Sequence, residues 1–246
     1  MLSVEEGAKA LMLSWISKNY SAVIEEAKNT RSAYEEFLAE ALSKEIEYRL
    51  ENRIQKRIRM ARLPYRKYLQ DLELDEYEGP IRYKIEDLMT LDFIVAKENV
   101  ILVSNPGRGK THLAIGLGIA ACLRDMRVLF TNVPNLVIEL KEAMSRSEVT
   151  LFKRRFMGFD LVIIDELGYV SFDKEGNEIL FNLLSNRNDT GSMIVTTNLS
   201  FEKWEDLFGD TVLAGALVDR LTHKAHVLDM SGDSYRFKET KQLLGK

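Results

Sequence analysis

The sequence contains one cysteine, Cys122, with three histidines and four prolines in 246 residues. A single cysteine excludes an internal disulfide, and so few histidines cannot assemble a zinc cluster. Long hydrophobic runs are also missing. The longest uninterrupted apolar stretch, Leu113 to Leu123, is too short to span a bilayer and fits a buried helix better. Near the N-terminus Glu5 and Glu6 stand where a signal peptide would want positive charge, so a cytoplasmic protein without membrane attachment is expected. Nor is there a surplus of basic charge. A net charge of -4 gives no general attraction to nucleic acid, and any such binding has to come from local basic patches. No internal repeat or low-complexity segment is visible. With 46% apolar and 29% charged residues, the chain has the composition of an ordinary globular protein with one sizeable core and a smaller appendage.

What is present is organised around VILVSNPGRGKTHLA, Val100 to Ala114. An apolar run there passes into a glycine-punctuated loop that opens into a helix. Val100 to Val103 is short and apolar, and Asn105-Pro106-Gly107 ends it as a strand. Gly107 and Gly109 let backbone N–H groups turn inward around an anion, while the helix that follows points the positive end of its dipole at the same place. Lys110 would reach the β and γ phosphates of ATP, and Thr111 would hold Mg²⁺. The candidate nucleotide-binding segment is therefore Asn105, Pro106, Gly107, Arg108, Gly109, Lys110, Thr111 and His112. One position departs from the pattern G-x-x-x-x-G-K-[ST]: Ser104 stands at the first glycine, which is tolerable if that residue needs no positive φ.

Upstream, Val4 to about Leu63 reads as helical throughout, with no proline before Pro64. Ile46, Leu50, Ile54 and Ile58 recur every four residues on one stripe, beside a basic face of Arg49, Arg53, Lys56 and Arg57. That face is either a solvated surface with local pairs such as Glu45 with Arg49, or a docking helix for an acidic partner or a DNA backbone. Between Gln70 and Gly79 the composition turns acidic, and Gly79-Pro80 breaks any helix. The expected organisation is a helical N-terminal domain over 1–69, a linker over 70–82 and an ATPase domain over 83–246. In the last part, strands at Val100 to Ser104, Val128 to Thr131, Leu161 to Asp165 and Met193 to Thr197, and one near Val227, alternate with helices. This predicts an α/β fold with a five-stranded parallel sheet covered on both faces.

Two of those strands end in polar groups at the sheet edge where open α/β folds bind ligands. FDLVIIDE, Phe159 to Glu166, delivers two carboxylates. Asp165 would hold the Mg²⁺ shell, and Glu166 would orient and polarise a water for attack on the γ phosphate, which argues for hydrolysis. MIVTTN, Met193 to Asn198, ends in Asn198, which could reach the attacking water or the γ phosphate. Trp15, Trp204, His223 and His226 read as packing residues.

These segments carry a family resemblance. GRGKTHLA, DLVIIDELGY, TTNLSFEKWEDLFGD, ALVDRLTHKAHVLDM, SGDSYRFKE and the stretch RIRMARLPYRKYLQDLELD, Arg57 to Asp75, resemble IstB-like AAA+ ATPases. Members of this family are ATP-dependent helpers encoded beside the transposase of certain bacterial insertion sequences, and are similar to the DnaC helicase loader. The motifs are spread over roughly three quarters of the chain. Ser104 replaces the family's usual glycine. Little chain follows Val227, so the helical lid of many AAA+ proteins is expected to be absent.

The resemblance implies a P-loop AAA+ core, ATP and Mg²⁺ as cofactors, and a homo-oligomer with its sites between subunits. It also implies sequence-tolerant binding to the DNA backbone and a transposase partner. It makes Arg220 the arginine-finger candidate and Arg236 a nucleotide sensor. It places Lys141, Arg146 and Lys153, with Arg154 and Arg155, where related proteins face nucleic acid and could track phosphates. The alternatives are a replicative helicase loader and, with least support, a small-molecule kinase on the same phosphate loop.

Overall fold

The computed structural model describes residues 2–77, 79–168, 173–204, 208 and 210–230. They fall into two compact units that divide between Lys56 and Arg57. The first is helical. Helix α1 (Val4–Ala10) opens with a reciprocal cap: Ser3 Oγ accepts from Glu6 N, and the Glu6 carboxylate accepts from Ser3 N. Helix α2 (Ser14–Thr30) has no cap from its own N-cap residue, Leu13. Its first-turn amides are met instead by Glu45 of α3 (Tyr34–Met60), whose Oε2 accepts from Trp15 N at 2.8 Å and Ile16 N at 3.1 Å. Glu45 Oε1 accepts from Arg49 Nε at 2.8 Å, so this buried carboxylate is fully partnered. Burial works against its charge, yet Arg49 and the two amides together hold it below the usual carboxylate range. The apolar stripe expected on α3 changes environment along its length, since Ile46 and Leu50 are exposed and Ile58 is buried.

The second unit begins within the last turns of α3 and includes the stretch 70–82 that was expected to be a linker. That stretch packs because Leu72 and Tyr77 are buried, and it contains two short 3₁₀ turns, Leu69–Asp71 and Leu74–Glu76. Helices α4 (Pro80–Leu88) and α5 (Asp92–Val95) lead into β1 (Asn99–Val103). There follow α6 (Lys110–Leu123), β2 (Val128–Asn132), α7 (Val133–Ser145), α8 (Val149–Met157), β3 (Leu161–Leu167), α9 (Lys174–Arg187) and β4 (Ser192–Thr197). After a 3₁₀ turn, Phe201–Lys203, come α10 (Thr211–Thr222) and β5 (Ala225–Asp229).

All five strands pair in parallel in the order β2-β3-β4-β1-β5. Val100 to Leu102, Leu161 to Ile164 and Met193 to Val195 are buried throughout, as strands covered on both faces require. Helix α6 is apolar nearly all round and correspondingly buried. Gly118 lets it lie against the sheet, because a Cβ there would stand 2.7 Å from Ile163 Cδ1. At the β2 edge Phe130 N donates to Ala61 O at 2.7 Å, which covers an otherwise unpaired amide. Fully buried Arg187 donates to the carbonyls of Phe156, Phe159 and Ser192, tying the end of α8 to the start of β4. Its burial lowers its pKa to about 10. Among the described residues no helix is long and apolar enough to cross a membrane.

Candidate nucleotide site

Because β1 lies between β4 and β5, the chain leaving β1 must cross β4 and β3 to reach β2. The reversal opens a crevice at the C-terminal edge of the sheet, where ligands of such folds settle. The loop after β1 fills it. Gly107 and Gly109 have φ of 82° and 83°, whereas Ser104 is not among the residues with positive φ. Serine is therefore accommodated where the pattern has glycine. Gly109 has a further constraint, since a Cβ there would meet the Tyr77 hydroxyl at 2.5 Å.

Lys110 opens α6 and folds back over the loop, donating to Ser104 O at 2.6 Å, Ser104 Oγ at 3.1 Å and Asn105 O at 3.2 Å. An ammonium satisfied by loop carbonyls lies where an incoming phosphate could compete for it. Thr111 Oγ1 donates to Asp165 at 3.0 Å and 3.3 Å from its two oxygens. A hydroxyl from the first turn of α6 and a hard carboxylate from the end of β3, brought together, are suitable ligands for Mg²⁺. Asp165 is buried, while the next residue, Glu166, is exposed with φ of 63°. Asn198 follows β4 and its Oδ1 is buried with no hydrogen-bond partner. A Cβ on Gly168 would come 3.5 Å from that oxygen, so Asn198 sits beside the end of β3. An orphaned buried amide oxygen at this edge calls for a water or ligand.

Other parts of the loop are held from the segment before α4. Tyr77 Oη donates to Arg108 O at 2.8 Å, and the Arg108 guanidinium lies 5.8 Å from the Tyr77 ring centroid. Burial pushes the Tyr77 phenol up against the influence of Arg108, and Glu76 adds to the rise. His112 Nε2 stands 3.1 Å from Tyr68 O, a geometry in which that nitrogen donates. A cavity of about 100 Å³ beside the loop is lined by Leu72, Tyr77, Gly109 and His112, by the carboxylates Asp71, Glu73 and Glu76, and by the cations Lys67 and Arg108. Sequence reasoning did not assign Tyr77 to the site. It lies in an acidic stretch far from the motif, and nothing in its spacing marks it.

The remaining candidates lie elsewhere. Arg220 is exposed in the last turn of α10, with its guanidinium 5.2 Å from the ring centroid of Phe181 on α9. Its described contact is to that ring and not to the phosphate loop. Lys141 Nζ lies 2.7 Å from Asp173, the N-cap of α9. The Lys141 bond, followed by the Gly176 amide, holds the Asp173 carboxyl below its ordinary value. Arg146 faces Glu142 at 3.6 Å, and Lys153 is half-buried on α8. Arg236 lies outside the described residues.

The family model for the IstB-like ATP binding protein matches residues 6–243. The chain belongs to this family. It is 34% identical over 238 residues, 97% of its own length and 95% of the relative's, to a protein of Geobacillus stearothermophilus described as an ATP-binding protein of insertion sequence IS5376. It is 35% identical over 232 residues to the corresponding protein of insertion sequence IS21 from Pseudomonas aeruginosa, covering 94% and 88% of the two chains. Among solved structures it is similar to the DnaC helicase loader, with a TM-score of 0.52 at 22% identity over 63% of this chain and 94% of that one. It is also similar to AMPPCP-bound DnaA from Aquifex aeolicus, with a TM-score of 0.56 at 17% identity over 75% and 56%. At these identities the likeness is one of fold, and the fold is the α/β P-loop architecture of AAA+ proteins.

Proposed function

We propose that the chain is a Mg²⁺-dependent ATPase that assembles on DNA as a homo-oligomer and assists a transposase, acting in the cytoplasm. The observation that carries the reading is the meeting of Lys110, Thr111 and Asp165 at one sheet edge, in a chain whose relatives are ATP-binding proteins of insertion sequences. The residues present fit both nucleotide and metal. Lys110 exchanges loop carbonyls for phosphate oxygens, and backbone amides around Gly107 and Gly109 face the same anion. Thr111 and Asp165 would hold Mg²⁺, which when bound would offset charge on the phosphate oxygens. Glu166, set out from the sheet, accepts a proton from a water and orients it, and Asn198 offers its unpartnered oxygen to that water. A carboxylate reaching into solvent suits water as the acceptor, which favours hydrolysis over transfer to a small molecule.

A helicase loader shares this fold, but that parallel rests on structures at low sequence identity, whereas the insertion-sequence relatives match nearly the whole chain. We assign DNA contacts to Lys141 on α7, Arg146 at its C-cap and Lys153 on α8. Arg146 and Lys153 are the cleaner probes, because Lys141 also supports the cap of α9. The experiment is DNA binding at increasing salt, with and without ATP. Affinity should need ATP and fall steeply with salt, because each neutralised phosphate releases counterion. Arg146→Glu with Lys153→Glu should weaken binding on all sequences alike. Equal binding with and without nucleotide, or at low and high salt, would remove this reading.

A further inference from the structure

Strands β3 and β4 pair regularly up to Ile164 opposite Val195 and resume at Leu167 opposite Thr197. Thr196 alone therefore stands opposite both Asp165 and Glu166, which is a β-bulge. Glu166 takes the extra position, with a positive φ that is costly for a residue with a side chain. Its side chain is turned out of the sheet while Asp165 and Leu167 stay buried.

The bulge leaves the Glu166 amide without its ladder carbonyl, and Thr196 Oγ1 accepts it at 3.0 Å. The same hydroxyl donates to Asp165 Oδ1 at 2.6 Å. That oxygen also accepts from Thr111 Oγ1. A hydroxyl has one hydrogen to give, and here it is given to a carboxylate that cannot return one. The direction of both bonds is therefore fixed. Thr196 is buried to 1% exposure, so water cannot replace it without cost.

We infer that Thr196 is a positioning residue, holding the backbone of Glu166 and the carboxylate of Asp165 in the arrangement that metal binding and hydrolysis need. It touches neither nucleotide nor water and acts through its two neighbours. The inference rests on the ATPase reading given above. Thr196→Val keeps the branched shape and puts a methyl group in place of the hydroxyl. The Asp165 carboxylate then loses a donor, and the Glu166 amide loses the acceptor that stabilises its strained conformation.

The test compares wild type, Thr196→Val and Thr196→Ser in three measurements. In the nucleotide-free protein, amide exchange at Glu166 should speed up in Thr196→Val and stay slow in Thr196→Ser. Phosphate release should show kcat lower by ~10-fold or more in Thr196→Val with KM for ATP little changed, and recovery in Thr196→Ser. The Mg²⁺ concentration giving half-maximal rate should rise in Thr196→Val alone. In a Glu166→Gln background Thr196→Val should add little to the loss in kcat, because the two act as a unit. If Thr196→Val does not fold, Thr196→Ser against Thr196→Ala repeats the comparison, since both lose the methyl and one keeps the hydroxyl. Unchanged exchange at Glu166, or normal kcat in the folded hydroxyl-free variant, overturns the assignment. A wild-type protein that releases no phosphate on DNA overturns the ATPase reading instead, and the exchange measurement still decides whether Thr196 holds Glu166.

Discussion

Thr111 Oγ1 and Asp165 Oδ1 are 3.0 Å apart, although 54 residues separate them in sequence. The contact joins the first turn of α6 to the end of β3, and it forms because β1 and β3 flank β4 in one parallel sheet. Two candidate metal ligands from distant parts of the sequence are thus held side by side.

Lys110 and Glu166 should separate binding from hydrolysis. Lys110→Ala removes the loop's ammonium, and ATP affinity should fall by ~10- to 100-fold, the worth of a charge-assisted hydrogen bond or two. Glu166→Gln keeps shape and loses basicity, so ATP should bind with affinity close to wild type while kcat falls by ~100-fold or more. Equilibrium binding of a fluorescent ATP analogue and steady-state phosphate release check the pair. Normal turnover in Glu166→Gln would show that another group activates the water.

Arg220 should act in a neighbouring subunit. It is exposed at the end of α10, and the described contact of its guanidinium is the Phe181 ring. Arg220→Ala should bind ATP and hydrolyse it ~10³-fold more slowly where assembly occurs. Mixed with Lys110→Ala, which supplies an intact arginine but binds ATP weakly at its own site, it should regain part of the activity. Phosphate release from each variant alone and from the mixture, on DNA, is the measurement. Full activity of Arg220→Ala by itself would falsify the finger assignment.

Glu45 should make the first unit acid-sensitive. Its carboxyl lies below the ordinary range in the folded chain, so the folded state binds that proton less readily than the unfolded one. The contribution is complete above the unfolded carboxylate range and is lost as pH falls through the lower, folded value. Glu45→Gln should destabilise α2 at neutral pH by about 1 kcal/mol. The difference from wild type should shrink on acidification. Hydrogen exchange at Trp15 and Ile16 in the full chain, across pH, reads this directly. A gap between wild type and variant that persisted in acid would show that the charge of Glu45 is not what stabilises α2.

Local rules were enough for much of the chain. VILV followed by Asn105-Pro106-Gly107 and Gly109-Lys110-Thr111 sets a strand, a tight loop and a helix start, because glycine conformation, proline and apolar runs act over a few neighbouring residues. The alternation of such units implied a parallel sheet, since parallel strands need crossovers. Strand-end Asp165, Glu166 and Asn198 could be read as facing a ligand from the same reasoning. The tertiary structure decided what depends on residues distant in sequence. Tyr77 meets Arg108 because 70–82 packs within the second unit, where composition alone suggested a linker. Glu45 caps α2 from another helix, and Arg187, which looks like a surface residue in sequence, is buried because three carbonyls accept its protons. Thr196 faces both Asp165 and Glu166 only because β3 gains one residue over β4 at that point. Such an offset is set by pairing between strands, and neither strand's own sequence records it.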